Sequence, residues 1–290
     1  MARLMVLCGA VGVFLSFTAV AGAAVISPSD LLVYYNFDNN GNPTIAPDLS
    51  GNGPMATLEG GAAYSAGGGG VSGSAGDRSL DLGTFNNGAS ARLPLGAHFD
   101  PAVTSNTFAV SFWQNSTSNA TSTSSYWIVS PTASGGRRGI QSHVSWSDGT
   151  IYFDHAGCCG PPERLTTGIT GPINTWNHYV FQKDASGNKQ LWENGVLRVS
   201  GAGAANVLPF DGQAMIGAEF RDPGTNGANS FDGRIDEFAV WSTTLDAAQI
   251  AQLASGAPAT ALTIPEPATL ALLALGGLAA LPLVRRRRSA

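Results

Sequence analysis

Six glutamates, four histidines and two adjacent cysteines are the residues in this 290-residue chain best equipped for catalysis or metal binding. One arrangement of paired carboxylates that hydrolyses a glycosidic bond sets two glutamates on one strand as Glu-x-Asp-x-x-Glu, which turns both acids into the same cleft as nucleophile and acid/base. None of Glu59, Glu163, Glu193, Glu219, Glu237 and Glu266 has an aspartate two residues on and a glutamate five residues on. His98, His143, His155 and His178 fall in no zinc-like spacing, and there is no serine in a nucleophile elbow. No catalytic residue is expected, and the protein is read as a non-enzyme.

Cys158 and Cys159, in "DHAGCCGPPE", lie three residues after His155. Neighbouring cysteines point apart on an extended chain and no fourth ligand is apparent, so a zinc site is not expected. In an oxidising compartment they would form a vicinal disulfide or pair with another molecule. The other chemistry open to this chain is stacking on sugar rings. Trp113, Trp127, Trp146 and Trp192 fall on strands or hairpins and are the ligand-binding candidates, while Trp176 and Trp241 are read as core.

The elements that must position these residues are short strands. Glycine is abundant (37 residues) and charged residues make up only 12%, a composition of strands joined by polar turns. "TFAVSFWQ" alternates, placing Phe108, Val110 and Phe112 on one face, read as core, and Ala109, Ser111 and Trp113 on the other. Hairpins are expected at Asp148-Gly149 and at Asn194-Gly195, the latter suited to a type I′ turn. "AGGGG" (66–70) is read as a flexible loop and "NSTSNATSTSS" (115–125) as a polar, disordered-looking one. After the last strand, "FDGRIDEFAVW", Asp246 and Gln249 have capping-box spacing, with Ile250 and Leu253 on one side of a short helix. About fourteen strands and one late helix predict an all-β, two-sheet antiparallel jelly-roll sandwich.

Both ends have a different character. Residues 1–24 combine Arg3, an apolar core and a small-residue end, the pattern of a signal peptide for secretion. Residues 268–284 carry no charge and just reach the length of a transmembrane helix, and Arg285, Arg286, Arg287 and Arg288 follow at once. Clustered arginines stay on the cytoplasmic side, so the body lies outside the cytoplasm. Arg3 and the four terminal arginines are five of the 15 basic residues, so without the two apolar ends 10 basic residues face 20 acidic ones. An acidic body of net charge −10 argues against nucleic acid as a partner.

Pro265-Glu266-Pro267, the apolar span and the terminal arginines resemble, in order and spacing, the PEP-CTERM sorting signal of bacterial exported proteins. The resemblance implies recognition by an exosortase, cleavage near the Pro-Glu-Pro triad, a transient stay in the membrane, and a mature form at the cell surface or in the extracellular matrix.

The body, in turn, resembles a LamG-like, concanavalin A-like jelly roll. "YYNFD", "DLSGNG", "SLDL", "FAVSFWQ", "WNHYVFQKDASGNKQLWENGVL" and "FDGRIDEFAVWSTTLDAAQI" occur in the order and rough spacing of that family. The expected organisation is a signal peptide (1–24), one LamG-like domain (25–254), a linker (255–264) and the sorting signal (265–290). Such domains can hold a structural calcium ion (Ca2+) between the first and last strands, at positions matched here by Asp38 and Asp236. The alternative for both is turn and strand-edge hydrogen bonding. The expected role is adhesion or recognition of an extracellular polysaccharide or surface protein. A purely structural matrix component and a glycan-active enzyme are the alternatives.

Overall fold

The structure, a computed structural model, describes residues 26–38, 41–220 and 227–263. The signal-peptide segment, the Pro265-Glu266-Pro267 triad, the 268–284 span and the four terminal arginines lie outside the described residues. Among the described residues no helix is long and apolar enough to cross a membrane.

Among the described residues, alternating apolar and polar runs joined by glycine-rich turns produce sixteen strands. The first seven are β1 (Leu31–Tyr35), β2 (Ile45–Ala46), β3 (Ala56–Glu59), β4 (Ala63–Tyr64), β5 (Leu80–Asp81), β6 (Ser90–Leu93) and β7 (Phe108–Ser116). The middle strands are β8 (Tyr126–Val129), β9 (Arg138–His143), β10 (Thr150–His155), β11 (Arg164–Gly168) and β12 (Trp176–Lys183). The last are β13 (Asn188–Glu193), β14 (Val196–Ala202), β15 (Ala214–Ile216) and β16 (Gly233–Trp241). Helices are few: α1 (Asp100–Ser105), the single turn α2 (Ser134–Arg137) and α3 (Ala247–Ala254).

The strands form two antiparallel sheets of eight. One runs β14-β13-β12-β7-β16-β5-β4 with β1 also on β16, and the other β11-β10-β9-β8-β15-β6-β3-β2. Their facing sides make the main core. Phe108, Val110 and Phe112 are fully buried there, as the alternation predicts, and Phe112 stacks on Phe181 at 5.9 Å between ring centroids. The outer face of the first sheet is half covered by α3. Asp246 caps that helix by accepting from the backbone of Ala248 and Gln249, Gln249 returns the bond, and Ile250 and Leu253 are buried against Ala109, Val180 and Trp241.

The hairpins follow the turn residues. Asn194 and Gly195 both take positive φ (51° and 77°), the type I′ pattern. The second hairpin uses a three-residue loop, with Trp146 N–H bonded to Thr150 O and Gly149 at φ 74°.

Three segments differ from expectation. The 66–70 glycines are pinned: a Cβ on Gly70 would come 2.0 Å from Asp77 Oδ1, so close backbone approach explains the glycine run. The 115–125 stretch is tied down by Thr117 and Thr121, whose hydroxyls donate to Asp232 at 3.0 and 3.2 Å, and its Thr123, Ser124 and Ser125 are buried. The expected linker after residue 254 is in part packed structure, since Ala259–Leu262 forms a 3₁₀ turn with Ala259 and Leu262 buried beside β1.

Candidate functional site

The half of the first sheet's outer face that α3 leaves uncovered carries an open groove of about 810 Å³. Its floor is aromatic. Trp113 on β7 stands opposite His178 on β12, and Trp176 is two residues from His178, so the two half-buried indoles are diagonal neighbours on one face. His178 lies between the two indoles on the same face: it is 1% exposed, bonds Ser111 Oγ through Nε2 at 3.0 Å, and its ring lies 5.2 Å from that of Trp113. Complete burial pushes its pKa down to about 3, which keeps the ring neutral.

One wall is acidic because of a break in β16. Up to Asp236 this strand faces β7 in regular register (Asp236 opposite Trp113), and the register resumes at Ala239 opposite Ser111, leaving a bulge in which Glu237 has φ 52°. The bulge marks the change of neighbour from β5 to β1 on the strand's other edge. It turns Glu237 into the groove, where its carboxylate accepts from the Tyr34 hydroxyl, beside Asn36, Asp38 and Asp77. The opposite edge is the chain leaving α3, at Ala254, Ser255, Gly256 and Pro258.

The acids crowd one another. Burial, then the negative charge of Glu237, raises the Asp236 pKa to about 9. Burial also raises Glu237 to about 7, with Asp38 and Asp77 adding to the rise against the lowering bond from Tyr34, and it raises Asp38. Both expected calcium ligands nevertheless have their oxygens engaged. Asp38 accepts from Arg78 N (2.8 Å) and Asn36 Nδ2 (2.7 Å), and Asp236 from Val71 N (3.0 Å) and Glu237 N (2.9 Å). Among the described residues no group of three or more His, Cys, Asp or Glu is arranged to hold a metal ion. A hydrogen-bonded carboxylate oxygen keeps a second lone pair, and the crowding of negative charge is what a divalent cation would relieve.

The tryptophan candidates divide. Trp113 lines the groove, joined by Trp176, which sequence reasoning had assigned to the core. Trp127 is corrected: it is 0% exposed, packed against Val129, Met215, Ala218 and Phe220 with the Arg138 guanidinium 4.7 Å above its ring, so it offers no face to a sugar. Trp192 packs beside the α3 cluster and donates to Gln190 at 3.2 Å. Trp146 stands in the turn between β9 and β10 of the other sheet, 4.4 Å from the His143 ring, at a separate small pocket. Cys158 and Cys159 form a vicinal disulfide in the loop between β10 and β11.

Tyr34, Asp77 and Glu237 were missed as groove residues. The motif "GRIDE" marked the place, but the bulge that turns Glu237 outward has no signal of its own in the sequence.

Comparisons with known proteins agree with this architecture. Residues 85–251 match the family model described as the concanavalin A-like lectin/glucanases superfamily, and residues 263–288 match the PEP-CTERM protein-sorting motif. A similar solved structure is domain 4 of AbnA, a GH43 extracellular arabinanase from Geobacillus stearothermophilus, in complex with arabinotriose. It has 22% identity and a TM-score of 0.54, with 78% of this chain and 98% of that chain covered. Another is a botulinum neurotoxin type C structure whose cell entry is described as dependent on two ganglioside molecules, with 14% identity, a TM-score of 0.57, and 79% and 51% of the two chains covered. This chain therefore spans about half the length of the toxin chain. Comparison with curated proteins gives no match. By the family match over residues 85–251 and by its two-sheet fold, the chain belongs to the concanavalin A-like lectin/glucanases superfamily, and it ends in a PEP-CTERM sorting motif.

Proposed function

We propose that the protein is an exported, non-catalytic surface or matrix component that recognises an extracellular polysaccharide along the groove over Trp113 and Trp176. The observation that carries this reading is the pairing of two indoles on one sheet face with a wall of hydroxyl-binding groups: Tyr34, Asn36, Asp38, Asp77 and Glu237. Indole faces take the apolar C–H side of a sugar ring, and carboxylates and amides take its hydroxyls. The groove is open and, at about 810 Å³, lies toward the upper end of the roughly 300–1,000 Å³ range of ligand sites. The arabinotriose bound in the arabinanase-domain structure and the two gangliosides on which the toxin's cell entry depends support the class of ligand by analogy of fold.

Calcium belongs to this proposal as a structural ion. Asp38 and Asp236 would hold it together with the neighbouring acids, and it would supply charge neutralisation where like carboxylates crowd. The sorting motif implies export and processing of a membrane-associated precursor by an exosortase. We place cleavage near Pro265-Glu266-Pro267, so the 268–284 span and Arg285–Arg288 would not accompany the mature body.

A glycan array tests the reading. Binding to at least one extracellular polysaccharide is expected, and Trp113→Ala or Trp176→Ala should weaken it at least about tenfold, a loss of about 1.4 kcal/mol. No hit across matrix polysaccharides would favour a structural role, and release of reducing sugar over time would favour an enzyme.

A further inference from the structure

The sorting motif begins inside the folded body. Its match starts at Thr263, which is 8% exposed and directly follows the 3₁₀ turn Ala259–Leu262. Only Ile264 separates Thr263 from Pro265. A chain advances at most about 3.6 Å per residue, so the Pro-Glu-Pro triad starts within about 7 Å of a packed residue. An enzyme that cuts near the triad must take the flanking residues into a cleft as extended chain, and those on the N-terminal side are folded into the turn.

The segment is built to pack and to come away as a unit. At its start α3 ends in a Schellman turn: Gly256 N–H donates to Leu253 O at 2.9 Å, Ala257 N–H donates to Gln252 O at 3.3 Å, and Gly256 takes φ 91°. Pro258 then prevents any continuation of the helix. Beyond it the hydrogen bonds are local. Ala261 N–H donates to Pro258 O at 2.9 Å, and Thr263 donates to Thr260 O through its N–H at 3.2 Å and its hydroxyl at 2.9 Å. Among the described residues, no backbone bond joins 258–263 to a strand of either sheet. Side-chain burial holds the turn down: Ala259 (2% exposed) and Leu262 (9%) sit in a cluster with Ile26, Leu31, Tyr34, Trp241 and Leu245. That seat draws on both ends of the domain, so it is complete only once the body has folded.

We propose that residues 258–263 are an autoinhibitory strap on sorting: seated beside β1 they keep the exosortase from engaging Pro265-Glu266-Pro267, and cleavage proceeds from the form in which the strap has swung out about Gly256. This rests on the reading that cleavage falls near the triad. The strap controls access alone. The bond that breaks is one peptide bond near the triad; its acyl group passes to water or to an amine at the cell surface, and the tail keeps the new amine. Because release parts no strand, the body stays folded while the strap opens, and the cleavage rate follows the open fraction.

Pulse–chase of the full-length chain in an exosortase-bearing host tests this, with loss of the tail read on gels and the cut located by mass spectrometry. Inserting about eight Gly/Ser residues between Thr263 and Ile264 leaves the strap seated and moves the triad outward by roughly 15 Å. Leu262→Ala keeps the original spacing and loosens the seat. Each should speed cleavage at least about fivefold at the parent's cut site, whereas Leu95→Ala, at a residue 68% exposed, should leave it within about twofold. In the purified precursor, the amides of Ala261 and Thr263 should exchange hydrogen ahead of those of β1. The spacer variant keeps every residue of the body and decides the matter if Leu262→Ala unfolds. Equal rates in the parent, the spacer variant and Leu262→Ala would overturn the strap, as would exchange at Ala261 and Thr263 no faster than in β1. Slower cleavage of the spacer variant would also overturn it, by showing that the exosortase docks on the body itself. A parent left uncut beside a cleaved spacer variant supports a strap that stays shut. If no version is cut, the processing reading falls and this one with it.

Discussion

A buried ion cluster on the second sheet, in which Asp154 accepts from Arg138 Nη1 and from Nε and Nη2 of Arg164 at 2.6 Å each, gives the sharpest stability prediction. Replacing Asp154 by Asn removes the charge that holds two guanidinium groups, leaving their positive charge in a nearly dry site. Removing one partner of a buried pair costs about 3–5 kcal/mol. Here the two arginines differ. The Arg164 side chain is 17% exposed and can turn its head toward water, whereas the Arg138 side chain is 6% exposed and stays against Trp127. Only one charge is then stranded, so the expected loss is at the lower end, about 3 kcal/mol. For a domain of this size that is a fall in Tm of roughly 6–12 °C. Urea unfolding with the disulfide intact measures it, and a double-mutant cycle isolates the pair. Arg138→Met combined with Asp154→Leu should recover at least about 2 kcal/mol relative to the sum of the single losses, since an apolar pair of similar volume is often as stable as the ions it replaces. An Asp154→Asn protein within about 1 kcal/mol of the parent, or single losses that simply add, would refute the claim that the Arg138–Asp154 pair is desolvated and coupled.

Three further predictions concern charge and redox state. Asp236 (about 9) and Glu237 (about 7) bind protons more tightly folded than unfolded, where carboxylates titrate near about 4, so their contribution to stability falls as pH rises from about 4 through 7–9. In EDTA, Glu237→Gln should therefore raise Tm at pH 8 more than at pH 5, and added calcium should raise the parent's Tm most at pH 8; a Tm indifferent to EDTA and calcium removes the ion from the reading. His155 and His178, both near 3, act with the opposite sign: the stability that comes from burying them neutral is lost as pH falls from about 6.5 toward 3, to be seen as acid unfolding that His178→Gln makes less steep. Iodoacetamide applied to the exported protein before reduction should leave Cys158 and Cys159 unlabelled by mass spectrometry, and two alkylated cysteines would show that the vicinal disulfide does not form.

Much of the sandwich was legible because it rests on local signals. The alternation in "TFAVSFWQ" needs only a period of two, the Asn194-Gly195 turn only two residues that tolerate positive φ, and the α3 cap only Asp246 and Gln249 at the right spacing. Loops were less legible, since low hydrophobicity suggests mobility while their restraints come from distant residues. Asp232 is more than a hundred positions from the Thr117 and Thr121 hydroxyls it holds, and Asp77 fixes the 66–70 glycines through backbone contacts no composition reveals. The apolar residues of 255–263 were sparse and small, so they read as linker, yet Ala259 and Leu262 fill the space beside β1.

The site residues were hardest to read, for a geometric reason. Which tryptophan is core and which is platform depends on what covers each sheet face, and the same face can be both. On the first sheet, Trp241 is buried under α3 and Trp113 stands in the open groove, although the two strands are neighbours. What separates them is how far an eight-residue helix reaches across the sheet. On the second sheet, Trp127 is sealed within a patch that includes Ala218 and Phe220, while Trp146, carried past the end of β9 by its turn, borders a pocket. Coverage is set by segments far away in sequence, and so is the acid wall, where the bulge at Glu237 falls at the point where β16 passes from β5 to β1. Closing that bulge by deleting one residue would shift the strand's register and turn Glu237 away from Tyr34. The acid wall of the groove thus depends on how β16 is shared among β7, β5 and β1, which a sequence read one element at a time does not contain.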